Sequence, residues 1–184
     1  MQTLLVSTAA VAIAEIGDKT QLLSLILAAK YRRPLPICLG ILIATLLNHA
    51  LAGLLGAFIA DWLKPDVLKW MVAMSFLAIG LWTLIPDRID ADAAGPRGRG
   101  VLLTTVIAFF LAEMGDKTQV ATVVLAAQYS PLWQVISGTT IGMLLANVPV
   151  VWLGARFADR LPLRAARIGA ALLFVALAIW IAIR

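Results

Sequence analysis

The sequence predicts an all-α integral membrane protein of six transmembrane helices, built as two inverted three-helix repeats. Three observations carry that prediction. The chain is 62% hydrophobic and 14% charged, with a mean hydropathy of +0.96, well above the apolar share of a soluble domain. Its apolar residues fall into stretches at about 4–29, 35–60, 66–86, 101–128, 132–158 and 163–183. Each is long enough to cross a hydrocarbon core of about 30 Å as a helix. Finally, a shift of 98 residues aligns 3–86 with 101–184 without a gap, and 29 of the 84 pairs are identical.

The first and fourth stretches each carry one polar string, Glu15-Ile16-Gly17-Asp18-Lys19-Thr20-Gln21 and Glu113-Met114-Gly115-Asp116-Lys117-Thr118-Gln119. The second and fifth hold Asn48, His49 and Asn147, which are expected to bond a neighbouring helix or to border an ion path. Asp61 and Asp159 fall at span ends and are expected at the interface, as are the tryptophans. The repeat also pairs Tyr31 with Tyr129, Gly40 with Gly138, Gly56 with Gly154, Phe76 with Phe174 and Trp82 with Trp180, so it is more than shared Leu and Ala. Residues 1–86 form the first unit, 87–100 a polar, Gly-rich cytoplasmic linker, and 101–184 the second unit. With three spans per unit, the second copy enters the membrane from the opposite face. The result is an inverted repeat, the architecture of secondary transporters with a midplane site.

Charge sets the expected orientation. Alternating loops place Lys30, Arg32, Arg33, Arg88, Arg97, Arg99, Arg156, Arg160, Arg164 and Arg167 on one side, against Lys64, Lys69 and Arg184 on the other. The positive-inside rule puts the first group in the cytoplasm and both termini outside it, in a multi-pass protein of the plasma (inner) membrane. The net charge of +5 is thereby a topology signal, and no nucleic-acid partner is needed to explain it. No cleaved signal peptide is expected, because the first cation is Lys19. One cysteine, Cys38, and one histidine, His49, exclude a disulfide framework and a thiolate zinc site.

The strings are where the chemistry lies. A charge at the bilayer centre costs roughly 2.5–3.5 kcal/mol even on lenient scales, so carrying six of them argues for use. On a continuous helix Glu15, Asp18 and Lys19 share one face, with Gln21 and Ser24 widening its polar edge. Glu113, Asp116, Lys117, Gln119 and Thr122 repeat the pattern. Gly17 and Gly115 permit either close helix approach or an unwound turn, in which Thr20 and Thr118 can satisfy freed backbone groups. Brought together by the symmetry, Glu15, Asp18, Glu113 and Asp116 with Gln21 and Gln119 make an all-oxygen set suited to Ca²⁺, Mg²⁺ or Mn²⁺. Four carboxylates and two ammonium groups sum to −2, which matches one divalent ion. Carboxylates crowded in low dielectric also bind protons, the basis for metal/proton exchange. A purely structural use is a salt-bridged clamp of each Glu or Asp with its own lysine.

The doubled E-x-G-D-K-T string on the first and fourth of six spans resembles the cation/proton exchanger family of Golgi and chloroplast manganese/calcium transporters and bacterial manganese exporters. The resemblance covers essentially the whole chain. It implies Mn²⁺ or Ca²⁺ transport driven by counter-moving protons, with Glu15, Asp18, Glu113 and Asp116 as the ion-binding acids. The partners are then the divalent ion, protons and the lipid bilayer, with no cofactor. Two other readings compete: an intramembrane lipid-phosphate hydrolase, for which the strings offer lysine but no nucleophile or arginine, and a structural membrane protein.

Overall fold

A computed structural model of the chain describes residues 1–85, 100–153 and 163–183. Outside the described residues lie the linker up to residue 99 with Arg88, Arg97 and Arg99, and also Gly154, Arg156, Asp159, Arg160 and Arg184. The side chains of Arg164 and Arg167 lie outside them too. The described residues are all-helical and contain no strand. The helices are α1 (Gln2–Ala14), α2 (Lys19–Tyr31), α3 (Pro34–Trp62), α4 (Pro65–Thr83), α5 (Val101–Glu113), α6 (Lys117–Gln128), α7 (Leu132–Leu153) and α8 (Leu163–Ile183).

The first and fourth apolar stretches are therefore not single helices. Each is two half-helices meeting at its polar string. Among the described residues, α3, α4 and α7 are long and apolar enough to cross a membrane individually. A 13-residue half-helix such as α1 or α5 extends about 20 Å, short of a bilayer core unless its partner continues the path. Proline opens α3 and α4 at Pro34 and Pro65, where the missing N–H costs nothing and the fixed φ suits a first turn.

Packing exchanges the two halves. Helix α3 lies against α5 and α6 of the second half, while α7 lies against α1 and α2 of the first. Helices α4 and α8 pack on each other, and Phe76 stacks on Phe174, its own repeat partner, at 6.0 Å between ring centroids. The close crossings rest on missing side chains. A Cβ on Gly40 would meet Thr105 of α5 at 2.6 Å, and one on its repeat partner Gly138 would meet Leu4 of α1 at 2.7 Å.

Among the described residues many large apolar side chains are exposed, while a set of polar ones is buried beside the apolar core. Leu39, Leu46, Leu54 and Phe58 of α3 are exposed, while Thr45, Asn48 and His49 of the same helix are fully buried. So large an exposed apolar surface over buried polar groups suits a lipid surround. Trp62, Trp70, Trp133 and Trp152 are exposed near helix ends, and Asp61 is exposed at the end of α3, as expected of interfacial residues.

Candidate metal site

Each string breaks its helix by the same device. Glu113 ends α5, and Met114 (φ −61°, ψ 117°) and Gly115 (φ +74°) follow as the central residues of a type II turn. The Asp116 N–H closes it by donating to the Glu113 carbonyl at 3.0 Å. In the first copy Gly17 has φ +82° and the Asp18 N–H donates to the Glu15 carbonyl at 3.1 Å. A type II turn requires positive φ at its third residue, which only glycine adopts without cost. Asp18 and Asp116 then stand as the N-caps of α2 and α6.

The rest of each string serves the break. The Gly17 N–H donates to Gln21 Oε1 at 2.9 Å, and the Gly115 N–H to Gln119 Oε1 at 2.6 Å. Thr20 Oγ1 donates to Glu15 Oε2, and Thr118 Oγ1 to Glu113 Oε2 at 3.1 Å. So the freed backbone groups are satisfied by the glutamines, not by the threonines as the sequence suggested. The threonine hydroxyls orient the glutamates instead.

A second expectation is also corrected. Glu, Asp and Lys of one string do not share a helical face, because i,i+4 adjacency needs a continuous helix and the turn interrupts it. Each lysine instead crosses to the other string. Lys19 Nζ lies 3.2 Å from Asp116 Oδ1, and Lys117 Nζ lies 3.0 Å from Asp18 Oδ1. This reciprocal pairing ties the two breaks together.

At the centre, Glu15, Glu113 and Asp116 each offer an oxygen within 4.8 Å of the others, and all three residues are buried. Glu15 Oε1, Glu113 Oε1 and Asp116 Oδ2 receive no hydrogen bond from the protein. Buried carboxylate oxygens without donors are costly. Three buried carboxylates this close are a set that could hold a hard cation. Asp18, equally buried, stands outside this trio and is held by Lys117.

A flanking layer comes from α3 and α7. Asn147 donates from Nδ2 to Glu15 Oε2 at 3.4 Å and to the Met143 carbonyl at 3.1 Å, and its Oδ1 accepts from Ser24 at 2.8 Å. Asn48 donates to the Phe110 carbonyl at 3.1 Å and accepts from Gln119 Nε2 at 3.4 Å. Gln21 Nε2 donates to the Ala146 carbonyl at 3.1 Å. Both asparagines bond neighbouring helices as expected. Asn147 also reaches Glu15, one of the acids that the sequence singles out.

A model of the family described as "Divalent cation/proton antiporter GDT1" matches residues 3–91 and 101–184. The chain belongs to this family. It is a membrane protein and a transporter, not an enzyme, and the lipid-phosphate hydrolase reading falls. A Vibrio cholerae protein named "Putative manganese exporter" is 54% identical over 180 residues, covering 97% of this chain and 90% of the relative. A GDT1-like protein of Synechocystis is 28% identical over 190 residues (92% and 91% covered). GDT1-like protein 5 of Arabidopsis thaliana is 25% identical over 206 residues (89% and 87% covered). No solved structure matches the chain.

Proposed function

We propose that the protein exports Mn²⁺ across the plasma membrane in exchange for H⁺, with Ca²⁺ as the competing substrate. The observation that carries this reading is the buried trio of Glu15, Glu113 and Asp116, with three carboxylate oxygens that no protein group engages. The name of the Vibrio cholerae relative supports Mn²⁺, and the family description supports proton exchange.

Glu15, Glu113 and Asp116 bind the ion directly. Asp18 joins them when Lys117 releases it, and Gln21 and Gln119 border the ion with carboxamide oxygens that already fix the turns. Lys19 and Lys117 pair with the two aspartates across the interface. Four carboxylates and two lysines leave −2, which one divalent ion cancels. When the metal departs, an unaccompanied buried carboxylate is costly, and protonation removes its charge. Metal and protons thereby occupy the same acids in turn.

Alternation between the two sides follows from an inverted repeat of 1–86 and 101–184 joined by the 87–100 linker, with six spans and both termini outside the cytoplasm. The self-contact of Phe76 with Phe174 and the exchanged Lys–Asp pairs support the two-fold relation. The test is flux in proteoliposomes of the purified chain. An inward Mn²⁺ gradient should drive protons out, and an imposed pH gradient should concentrate Mn²⁺ on the acidic side. Mn²⁺ flux without proton movement would replace the exchanger with a uniporter.

A further inference from the structure

His49 is the one histidine of the chain. It is fully buried on α3, and neither ring nitrogen has a hydrogen-bond partner in the protein. A buried imidazole with both nitrogens unengaged forfeits the hydrogen bonds that water would give it, so its placement calls for a ligand. Its surroundings narrow the choice. The preceding residue, Asn48, bonds both arms of the second break, through the Phe110 carbonyl on α5 and Gln119 on α6. This stretch of α3 is therefore pinned alongside the turn that carries Glu113 and Asp116.

The repeat gives the register. Residue 146 meets Gln21 as residue 48 meets Gln119, and these are equivalent positions 98 apart. Residue 147 reaches Glu15, and His49 is its repeat equivalent 98 residues earlier, standing outside the trio of Glu15, Glu113 and Asp116 as Asp18 does. The two positions are not chemically equal. Asn147 is engaged by Ser24, Glu15 and Met143. Thr122, the equivalent of Ser24, turns its hydroxyl back to the Thr118 carbonyl at 2.8 Å and offers His49 nothing. Of the two equivalent positions, one holds a fully engaged amide and the other a buried imidazole with both nitrogens unpartnered.

We propose that His49 is a nitrogen ligand to the transported ion on the Glu113 side and sets the preference for a transition-metal ion over Ca²⁺. This rests on the Mn²⁺ transport reading above. Ca²⁺ takes oxygen ligands, whereas a first-row divalent ion accepts imidazole as well. One neutral nitrogen beside three carboxylates leaves the charge balance unchanged while discriminating between ions of equal charge.

The single histidine makes the test specific. The chain is purified without a polyhistidine tag, loaded with Mn²⁺ alone, and probed by electron spin-echo envelope modulation with histidine at natural abundance and ¹⁵N-labelled. Imidazole nitrogen coupling that changes on labelling and vanishes in His49→Asn is the expected result. Bound Mn²⁺ without histidine coupling overturns the proposal while leaving the transport reading intact. Absence of Mn²⁺ binding by the unmodified chain overturns both. In proteoliposomes, His49→Asn should raise half-saturation for Mn²⁺ by at least about tenfold, since even outer-shell partners are worth about 10–100-fold in metal affinity. Half-saturation for Ca²⁺ should move less, so the Mn²⁺/Ca²⁺ preference falls, and residual Ca²⁺ flux reports that the variant is folded. An unchanged preference counts against the assignment.

Discussion

Gly115 offers the cleanest perturbation of the site, because its replacement tests backbone conformation alone. It holds φ +74° in the turn between Glu113 and Asp116, and a Cβ built there has no atom within 4 Å. Alanine therefore meets no clash, and its whole cost is that of an L-residue in the left-handed region, about 1–2 kcal/mol. If the chain relieves that strain by leaving the type II geometry, Glu113 and Asp116 lose their relative placement. An energy of one to two kcal/mol corresponds to a factor of roughly 5–30 in an equilibrium. Half-saturation for Mn²⁺ in proteoliposomes should rise by about that factor in Gly115→Ala. Asparagine tolerates the left-handed region better than other side-chain-bearing residues, so Gly115→Asn should lie between wild type and alanine. Valine, stiff at χ1 and β-branched, should be worst. Equal Mn²⁺ affinity in all three variants would refute the claim that the left-handed turn positions the acids.

Four further outcomes can be measured, three from the geometry and one from the charge distribution of the sequence. Glu15→Gln, Glu113→Gln and Asp116→Asn should each abolish Mn²⁺ uptake, whereas Asp18→Asn, outside the trio, should retain measurable flux; equal loss in all four would return Asp18 to the primary site. Lys117→Met should lower thermal stability more than Lys19→Met, since their side chains are 4% and 23% exposed and breaking a buried pair costs about 3–5 kcal/mol; a differential scanning measurement of the two variants decides it. Gly56→Ala places a Cβ 2.1 Å from the Val123 carbonyl oxygen and should destabilise the α3–α6 crossing by about 1–3 kcal/mol, read as a fall in Tm. In a Cys38→Ser background, Ala93→Cys should resist impermeant thiol reagents from outside intact cells, and ready labelling would overturn the proposed orientation.

Much of this protein is written locally. Apolar runs of membrane length, the 98-residue offset, and the recurrence of Glu, Gly, Asp, Lys, Thr and Gln in fixed order are properties of the chain as a string, so they could be read without coordinates. So could the candidate acids, because they are named by which side chains the doubled string contains. Other features depend on what meets across the two halves. The strings look helical by spacing, yet Gly17 and Gly115 turn the chain, because only the folded surroundings supply Gln21, Gln119 and the opposing string to stabilise the open backbone. No i,i+4 rule could pair Lys19 with Asp116 or Lys117 with Asp18, since those partners are about a hundred residues apart and come together only when α3 and α7 exchange halves. The same holds for the inequality of His49 and Asn147. Their alignment is visible in the sequence, but that one is engaged and the other left without a partner emerges only once each buried side chain has found, or failed to find, a hydrogen bond.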